Sequence, residues 1–165
     1  MRVYLPATTV QLADLGTAGE LGPAPLTGYA VTPAIREWYL DDDPEELEYA
    51  ASGQAVRASL RMVDADPRAA RRRVVVAADV DEDVIEIRDD LDRGAVRISQ
   101  PVSVRAVAAL HIDDEDAEDV IARAAAVVLE ADLGSASAQE SVDDAEGFEL
   151  SWYAPDELPA LLAQF

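Results

Sequence analysis

The fold is decided by the stretch RVVVAADV, residues 73–80. Apolar residues fill it almost without interruption, and valine dominates its first half. An unbroken apolar run of this length predicts a strand that is buried on both faces. The rest of the chain is therefore interpreted as layers around a central sheet.

Other segments predict strands because they combine apolar residues with valine, isoleucine or aromatic side chains. They are residues 2–5, 83–87, 95–99, 107–112 and 148–153. The second and third of these are expected to form a hairpin, closed by an acidic turn. Two stretches are expected to be loops: residues 16–28, rich in glycine and proline, and the acidic residues 133–147.

Capping residues mark the helix starts. Thr8 stands three residues before Gln11, which is the spacing of a capping box. Thr32 and Asp43 each precede a proline, the arrangement of an N-cap followed by proline at the first helical position. The predicted helices are residues 9–15, 33–39, a long one from Pro44, 114–131 and one from Pro155.

The helix that begins at Pro44 has the clearest helical periodicity. Its apolar side is expected to hold Tyr49, Val56, Leu60 and Val63. Charged residues fall on the other side, namely Glu45, Glu48, Arg57 and Arg61. Gly53 lies in the middle, where glycine costs about 1 kcal/mol relative to alanine, and close packing against another element would explain it.

The order of the major elements is strand, helices, strand, strand, helix, strand, helix. With the hairpin as an insertion, this order predicts an α+β fold in a single domain, residues 1–165. The sheet is expected to be mixed and of the ferredoxin-like βαββαβ type, with extra helices. The strands at residues 2–5 and 107–112 would be parallel neighbours at its centre. A three-layer α/β sandwich is the alternative, and a homodimer would cover an open sheet face.

Missing residue types exclude several classes of site. The chain has no Cys, which excludes thiol nucleophiles, disulfides, iron–sulfur clusters and thiolate zinc sites. All 13 basic residues are Arg, so a Walker A or Schiff-base lysine does not exist. His111 is the only histidine, which excludes metal sites built from several histidines.

The formal net charge is −21, from 34 acidic and 13 basic side chains. A field of this sign repels phosphate and anionic lipid, so we expect neither nucleic-acid nor membrane binding. The acidity favours solubility, and a basic protein partner or adaptation to high salt are the alternatives. The chain shows neither a signal peptide nor a run long enough to span a membrane, so a cytoplasmic protein is expected.

Two acidic clusters are candidates for a metal site. Asp79, Asp81 and Asp83 alternate directly after the central strand, and carboxylates are ligands that Mg²⁺ and Ca²⁺ prefer. Asp113 and Asp114 follow a second strand. The first cluster lacks the glycine that an EF-hand loop needs. The alternative interpretation is a pair of acidic turns with solvated carboxylates.

His111 stands beside the second cluster. Flanking carboxylates favour a protonated histidine, which could act as a general acid or base. The alternative is a histidine at a strand end next to an aspartate N-cap. If the predicted sheet order holds, Thr8 and Thr9 lie at the same edge, and two helix N-termini could bind an anion there.

The aromatic pairs Trp38–Tyr39 and Trp152–Tyr153 contain both tryptophans of the chain. Beside Arg36, they are candidates for an interaction surface. The alternative is that the large rings fill the core with one edge in water. The arginines at residues 71–73 are expected to be a solvated segment that offsets nearby acids, and bidentate recognition of a carboxylate or phosphate is the alternative.

Blocks spread over the chain carry a family resemblance. They are MRVYLPAT, GYAVTPAIREWY, EELEYAA, RRVVVAADV, AALHIDD and ELSWYAPDEL, which reach from residue 1 to about residue 160. On these blocks the chain resembles an uncharacterised family of high-GC Gram-positive bacteria, a domain of unknown function. The resemblance implies a single domain in a bacterial cytoplasm and no particular activity.

Two functions follow as hypotheses. The preferred one is a non-catalytic acidic interaction or regulatory domain without a cofactor, because the chain has no nucleophile motif and no cofactor loop. The alternative is a small enzyme that uses Mg²⁺ or Ca²⁺ on a phosphorylated or otherwise anionic substrate, with His111 as acid or base. Convergence of Asp79 and Asp81 with Asp113 and Asp114 would favour the enzyme, and their separation would favour the interaction domain.

Overall fold

A computed structural model describes residues 1–40 and 42–165. Its strands are β1 (Arg2–Ala7), β2 (Glu20–Leu21), β3 (Leu26–Tyr29), β4 (Val74–Asp79), β5 (Ile85–Ile87), β6 (Ala95–Ile98), β7 (Val102–Ser103), β8 (Val107–Ile112) and β9 (Ser151–Tyr153). Seven of them form one antiparallel sheet in the order β5-β6-β3-β1-β4-β8-β9, and β2 pairs with β7 separately. The strand predicted to be buried on both faces is confirmed as β4, and it lies between β1 and β8.

The helices are α1 (Thr9–Ala18), α2 (Pro33–Trp38), α3 (Pro44–Ala65), α4 (Glu118–Asp132), α5 (Ala136–Glu146) and α6 (Leu158–Leu162). The predicted N-caps Thr8, Thr32 and Asp43 are confirmed, and Thr8 forms the capping box with Gln11. The first helix runs past its expected end and stops at Gly19, whose φ of +75° is left-handed. None of the described helices is long and apolar enough to cross a membrane.

Helices cover both faces of the sheet. On one face, α1 and α6 pack on apolar residues of β1, β4 and β8. On the other face, α3 lies across the sheet with α2 beside it, and α4 and α5 pack against the second half of α3. The protein is therefore α+β. Its helix–sheet–helix layering matches the three layers of the alternative prediction, the α/β sandwich. The homodimer stays a prediction.

The strand order differs from the ferredoxin-like prediction. β1 and β8 point in the same direction, but β4 lies between them, and each pair in the sheet is antiparallel rather than mixed. The cause is β3, a strand from the stretch that was expected to be a loop. Because β3 adds one pass of the chain along the sheet, α3 runs in the same direction as β1. The next strand, β4, therefore runs antiparallel to β1. In agreement, Ser59 near the end of α3 donates to the carbonyl of Ala7 at the end of β1.

Both segments expected to be loops contain regular structure. The stretch from residue 16 to 28 completes α1 and forms β2 and part of β3, which pairs with β6 through four residues. The acidic stretch forms α5, capped by Ser135, and its buried side is made of Ala138, Val142 and Ala145. These small side chains pack on α4, so α5 needs few large apolar residues, and its composition resembles that of a loop.

Candidate functional site

A groove lies between the first half of α3 and the sheet. Its floor is formed by Ala77 on β4 and Ala109 on β8, which are paired directly across the two strands. Their methyl groups leave space where larger side chains would meet the helix. The resulting cavity has a volume of about 330 Å³. Two small residues at one position of the strand register thus line the groove on its sheet side.

The helical wall of the groove is one stripe of α3. Residues at spacings of three and four lie on the same side of a helix, and this stripe consists of Glu45, Glu48, Tyr49 and Ser52. Tyr49 is 73% exposed, so the expectation that it belongs to the apolar side is wrong. Leu47, Ala51 and Ala55 form that side instead.

The opposite wall is formed by His111 on β8 and Trp152 on β9, which are paired across the strands. Directly paired residues project from the same face of a sheet, and this face carries α3. Trp152 is 61% exposed because β9 is the last strand of the sheet. The expectation that the tryptophans fill the core is therefore wrong for Trp152.

Arg2 and Tyr4 of β1 line the groove at its third side. The Arg2 Nε donates to Asp79 Oδ1 at 2.9 Å, and this hydrogen bond raises the pKa of Arg2 and lowers that of Asp79. Burial raises the pKa of the Tyr4 hydroxyl, and the nearby Glu48 adds to the effect. The one cation at this side is thus already paired, and the other charges that line the groove are the carboxylates of Glu45 and Glu48.

His111 is neutral at pH 7. Burial lowers its pKa below the usual 6.5, and the charge of Arg2 lowers it further. The expectation that neighbouring carboxylates favour the protonated form is wrong, because burial and the charge of Arg2 both lower the pKa. Neither ring nitrogen of His111 has a hydrogen-bond partner in the described residues, and neither is sealed from solvent. One of them is an acceptor in the neutral ring.

The proposed metal ligands do not come together. Asp79 ends β4 and Asp81 follows it, whereas Asp113 and Asp114 lie beside the start of β4, about 17 Å away by the rise of a strand. Within residues 1–40 and 42–165, no group of three or more histidine or acidic residues is arranged to hold a metal ion. Asp81 instead caps a short 3-10 turn by accepting from the backbone N–H of Asp83.

Asp113 and Asp114 have structural partners. Asp113 Oδ2 accepts from the backbone N–H and the Nε of Arg73 at 2.8 and 2.7 Å, and its Oδ1 accepts from Nη2 at 2.8 Å. The same Nη2 donates to the carbonyl of Phe148, which ties β4 to the segment before β9. Asp114 accepts from the Ser151 hydroxyl. Arg73 is thus buried, although residues 71–73 were expected to be solvated.

The candidate anion-binding threonines are also engaged. Thr8 accepts from the backbone N–H of Gln11 as the N-cap of α1. The Thr9 hydroxyl accepts from the backbone N–H of Ala70 at 2.9 Å. Both lie at the end of β1, with β4 between them and the end of β8. Their side chains therefore serve the local structure of the chain.

The two aromatic pairs do not form one surface. Trp38 and Tyr39 lie at the end of α2, and the exposed Arg36 pairs with Asp42 at 3.6 Å. The guanidinium of Arg93, beside β6, lies over the Trp38 ring. Four strands separate β6 from β9, which carries the second pair. Tyr153 packs on the α1 face of the sheet, so only Trp152 of that pair reaches the groove.

Most groove residues were not singled out from the sequence. His111 and Trp152 were, but Arg2, Tyr4 and Tyr49 were not, and Glu45 and Glu48 were assigned to a solvated side. Their positions on α3 carried a usable signal, since a tyrosine that shares a stripe with two glutamates is not a typical core residue. The paired alanines gave no such signal because their register depends on the strand order.

The fold and the groove define a small acidic α+β domain with an open aromatic and acidic groove. The chain belongs to a family of unknown function (DUF6912), whose match covers residues 1–162. No curated protein and no solved structure matches the chain significantly.

Proposed function

We propose that the protein is a non-catalytic interaction domain that binds a basic protein through the groove. The observation that carries this proposal is the composition of the groove walls. The exposed rings of Tyr49 and Trp152 line the same groove as the carboxylates of Glu45 and Glu48. Exposed aromatic rings supply contact area and attract cations on their faces. Carboxylates attract the same cations through their charge.

The charge of the whole chain supports a basic partner. Many arginines are already paired with carboxylates inside the chain, namely Arg2, Arg36, Arg57, Arg61, Arg68, Arg72, Arg73 and Arg88. Against 34 acidic side chains, they leave a large uncompensated negative charge. Such a field steers a basic protein toward the surface and speeds its association.

The separation of the acidic clusters favours this proposal over the metal-dependent enzyme. The enzyme requires Asp79 and Asp81 beside Asp113 and Asp114, but the first pair lies at the end of β4 and the second follows β8 beside the start of β4. His111 lies in the groove without a nucleophile motif beside it. We therefore infer that the groove serves binding, with His111 as one of its polar groups.

We further propose that the protein binds its partner in the cytoplasm of a high-GC Gram-positive bacterium. The support is compositional, because the chain lacks Lys and Asn, whose codons are rich in A and T. The sequence blocks that carry the family resemblance support the same setting.

Calorimetric titration with a short synthetic peptide of alternating arginine, lysine and glycine tests the proposed function. We expect saturable binding at physiological ionic strength and none for the matching glutamate peptide. The Glu45→Gln/Glu48→Gln variant should bind the basic peptide about three- to tenfold more weakly, since each exposed charge contact contributes about 0.3–0.7 kcal/mol.

The matched control is Glu130→Gln/Glu140→Gln, which removes the same charge from exposed positions on α4 and α5. It should bind almost like the wild type. Equal weakening by both variants would mean that diffuse charge, rather than the groove, attracts the peptide. Absence of binding by the wild type would refute the proposed function.

A further inference from the structure

The two tryptophans have almost the same exposure but different surroundings. Trp38 is 62% exposed and Trp152 is 61% exposed. The guanidinium carbon of Arg93 lies 3.5 Å from the centroid of the Trp38 ring, so an arginine of the chain itself covers that ring. In the part of the chain that the structure describes, no arginine stacks on Trp152.

Stacking of arginine on aromatic rings recurs in this chain. Arg72 also lies over an aromatic ring, that of Phe165, at 5.1 Å from the centroid. Trp152 differs from these rings in lining an open groove that also holds two carboxylates. Trp152 thus offers an arginine an aromatic face to stack on, and the two carboxylates of the groove offer negative charge. Among the described residues, no arginine of the chain stacks on this ring.

The other polar groups of the groove are compatible with a cation. Arg2 is neutralised by its two hydrogen bonds to Asp79. His111 is uncharged at pH 7, and its ring offers an acceptor nitrogen. Acceptors therefore predominate along the groove, and Arg2, the one cation among the described residues that line it, has its own counter-ion.

We propose that the groove binds an arginine side chain of the partner, with its guanidinium stacked on Trp152 beside Glu45 and Glu48. This inference rests on the proposed function and adds the chemical group that enters the groove. A guanidinium is planar, weakly hydrated and stacks on aromatic faces, whereas the lysine ammonium is compact and strongly hydrated. Arginine is therefore preferred over lysine.

The test is an NMR titration that follows the two indole N–H resonances, assigned with a Trp38→Phe variant. Nα-acetyl-arginine amide and Nα-acetyl-lysine amide are the probes. We expect the arginine amide to shift the Trp152 resonance saturably, with an affinity at least about threefold above that of the lysine amide. The Trp38 resonance is the internal control and should move little, because Arg93 already occupies that ring.

Acidification from pH 7 through the lowered pKa of His111 supplies a second readout. Protonation of His111 adds a positive charge to the groove and should weaken binding of the arginine amide. The other charged or titratable side chains that line the groove are Arg2, Tyr4, Glu45, Glu48 and Tyr49. The weakening should be absent in a His111→Gln variant.

The outcomes separate the two proposals. If the lysine amide binds equally well, or if neither amide shifts Trp152 while the basic peptide still binds the groove, the arginine inference is wrong and the proposed function stands. If neither the amides nor the basic peptide bind, both proposals fail.

Discussion

At the scale of single residues, two arginine–aspartate pairs hold the ends of β4 and differ in burial. The side chains of Arg73 and Asp113 are 2% and 0% exposed, and those of Arg2 and Asp79 are 40% and 63% exposed. In the buried pair, three N–H groups of Arg73 saturate the carboxylate. Removing one partner there leaves a charge in the core without compensation. At the surface, water solvates the charge that remains when one partner of the pair is removed.

Because the two pairs differ in burial, we expect removal of the aspartate charge to cost different amounts of stability in each. Asp113→Asn should lower the free energy of unfolding by about 3–5 kcal/mol, because it leaves the buried Arg73 charge without its counter-ion. Asp79→Asn is the matched control and should cost less than about 1 kcal/mol. Urea unfolding of both variants measures the difference. Losses of similar size would contradict the structural role given to Asp113.

At the scale of elements, the glycines show where the packing is tight. A Cβ on Gly53 in α3 would meet no atom within 4 Å, so close packing does not explain this residue, contrary to the sequence expectation. A Cβ on Gly28 in β3 would lie 2.6 Å from Val3 Cγ1 and 3.1 Å from Leu5 Cδ2. Glycine at this position lets the side chains of β1 lie directly against the backbone of β3.

Alanine substitution should therefore have opposite effects at these two positions. Gly53→Ala is expected to raise the free energy of unfolding by about 0.5–1 kcal/mol, because alanine favours the helix. Gly28→Ala should lower it by about 1–3 kcal/mol, because Val3 and Leu5 must move. Thermal and urea unfolding compare the variants. Stabilisation by Gly28→Ala would show that β3 does not pack on β1 as described.

The elements that the sequence predicted well are those with local signals. Thr8, Thr32 and Asp43 cap the helices that follow them, because a cap depends on residues only a few positions away. β3 was missed because it is stabilised by pairing with β6, about 70 residues away in the chain, and α5 because the small residues of its buried side resemble a loop in composition. The strand order depended in turn on β3, so an error in one short element changed the predicted topology.

The candidate site was predictable only in part for the same reason. His111 and Trp152 were singled out separately as a histidine and an exposed aromatic. Their pairing across β8 and β9, and the hollow over Ala77 and Ala109, depend on which strands are neighbours. Asp113 was taken for a ligand because its partner Arg73 is distant in sequence.

At the scale of the whole molecule, a net charge of −21 acts over the entire surface, whereas the groove is one place on it. The charge increases the rate of encounter with any basic protein, and this attraction weakens as salt is added. Specific recognition requires a place where aromatic contact and charge coincide. Among the described residues, the groove beside Trp152 combines these features.

The most direct test of the central claim compares Trp152→Ala with Trp38→Ala in calorimetric titrations with the basic peptide. Both variants remove a tryptophan of nearly equal exposure, 61% and 62%, and neither changes the net charge. The groove account predicts that Trp152→Ala weakens binding at least about threefold, whereas Trp38→Ala binds like the wild type. Equal affinities of the two variants, or a greater loss for Trp38→Ala, would contradict it.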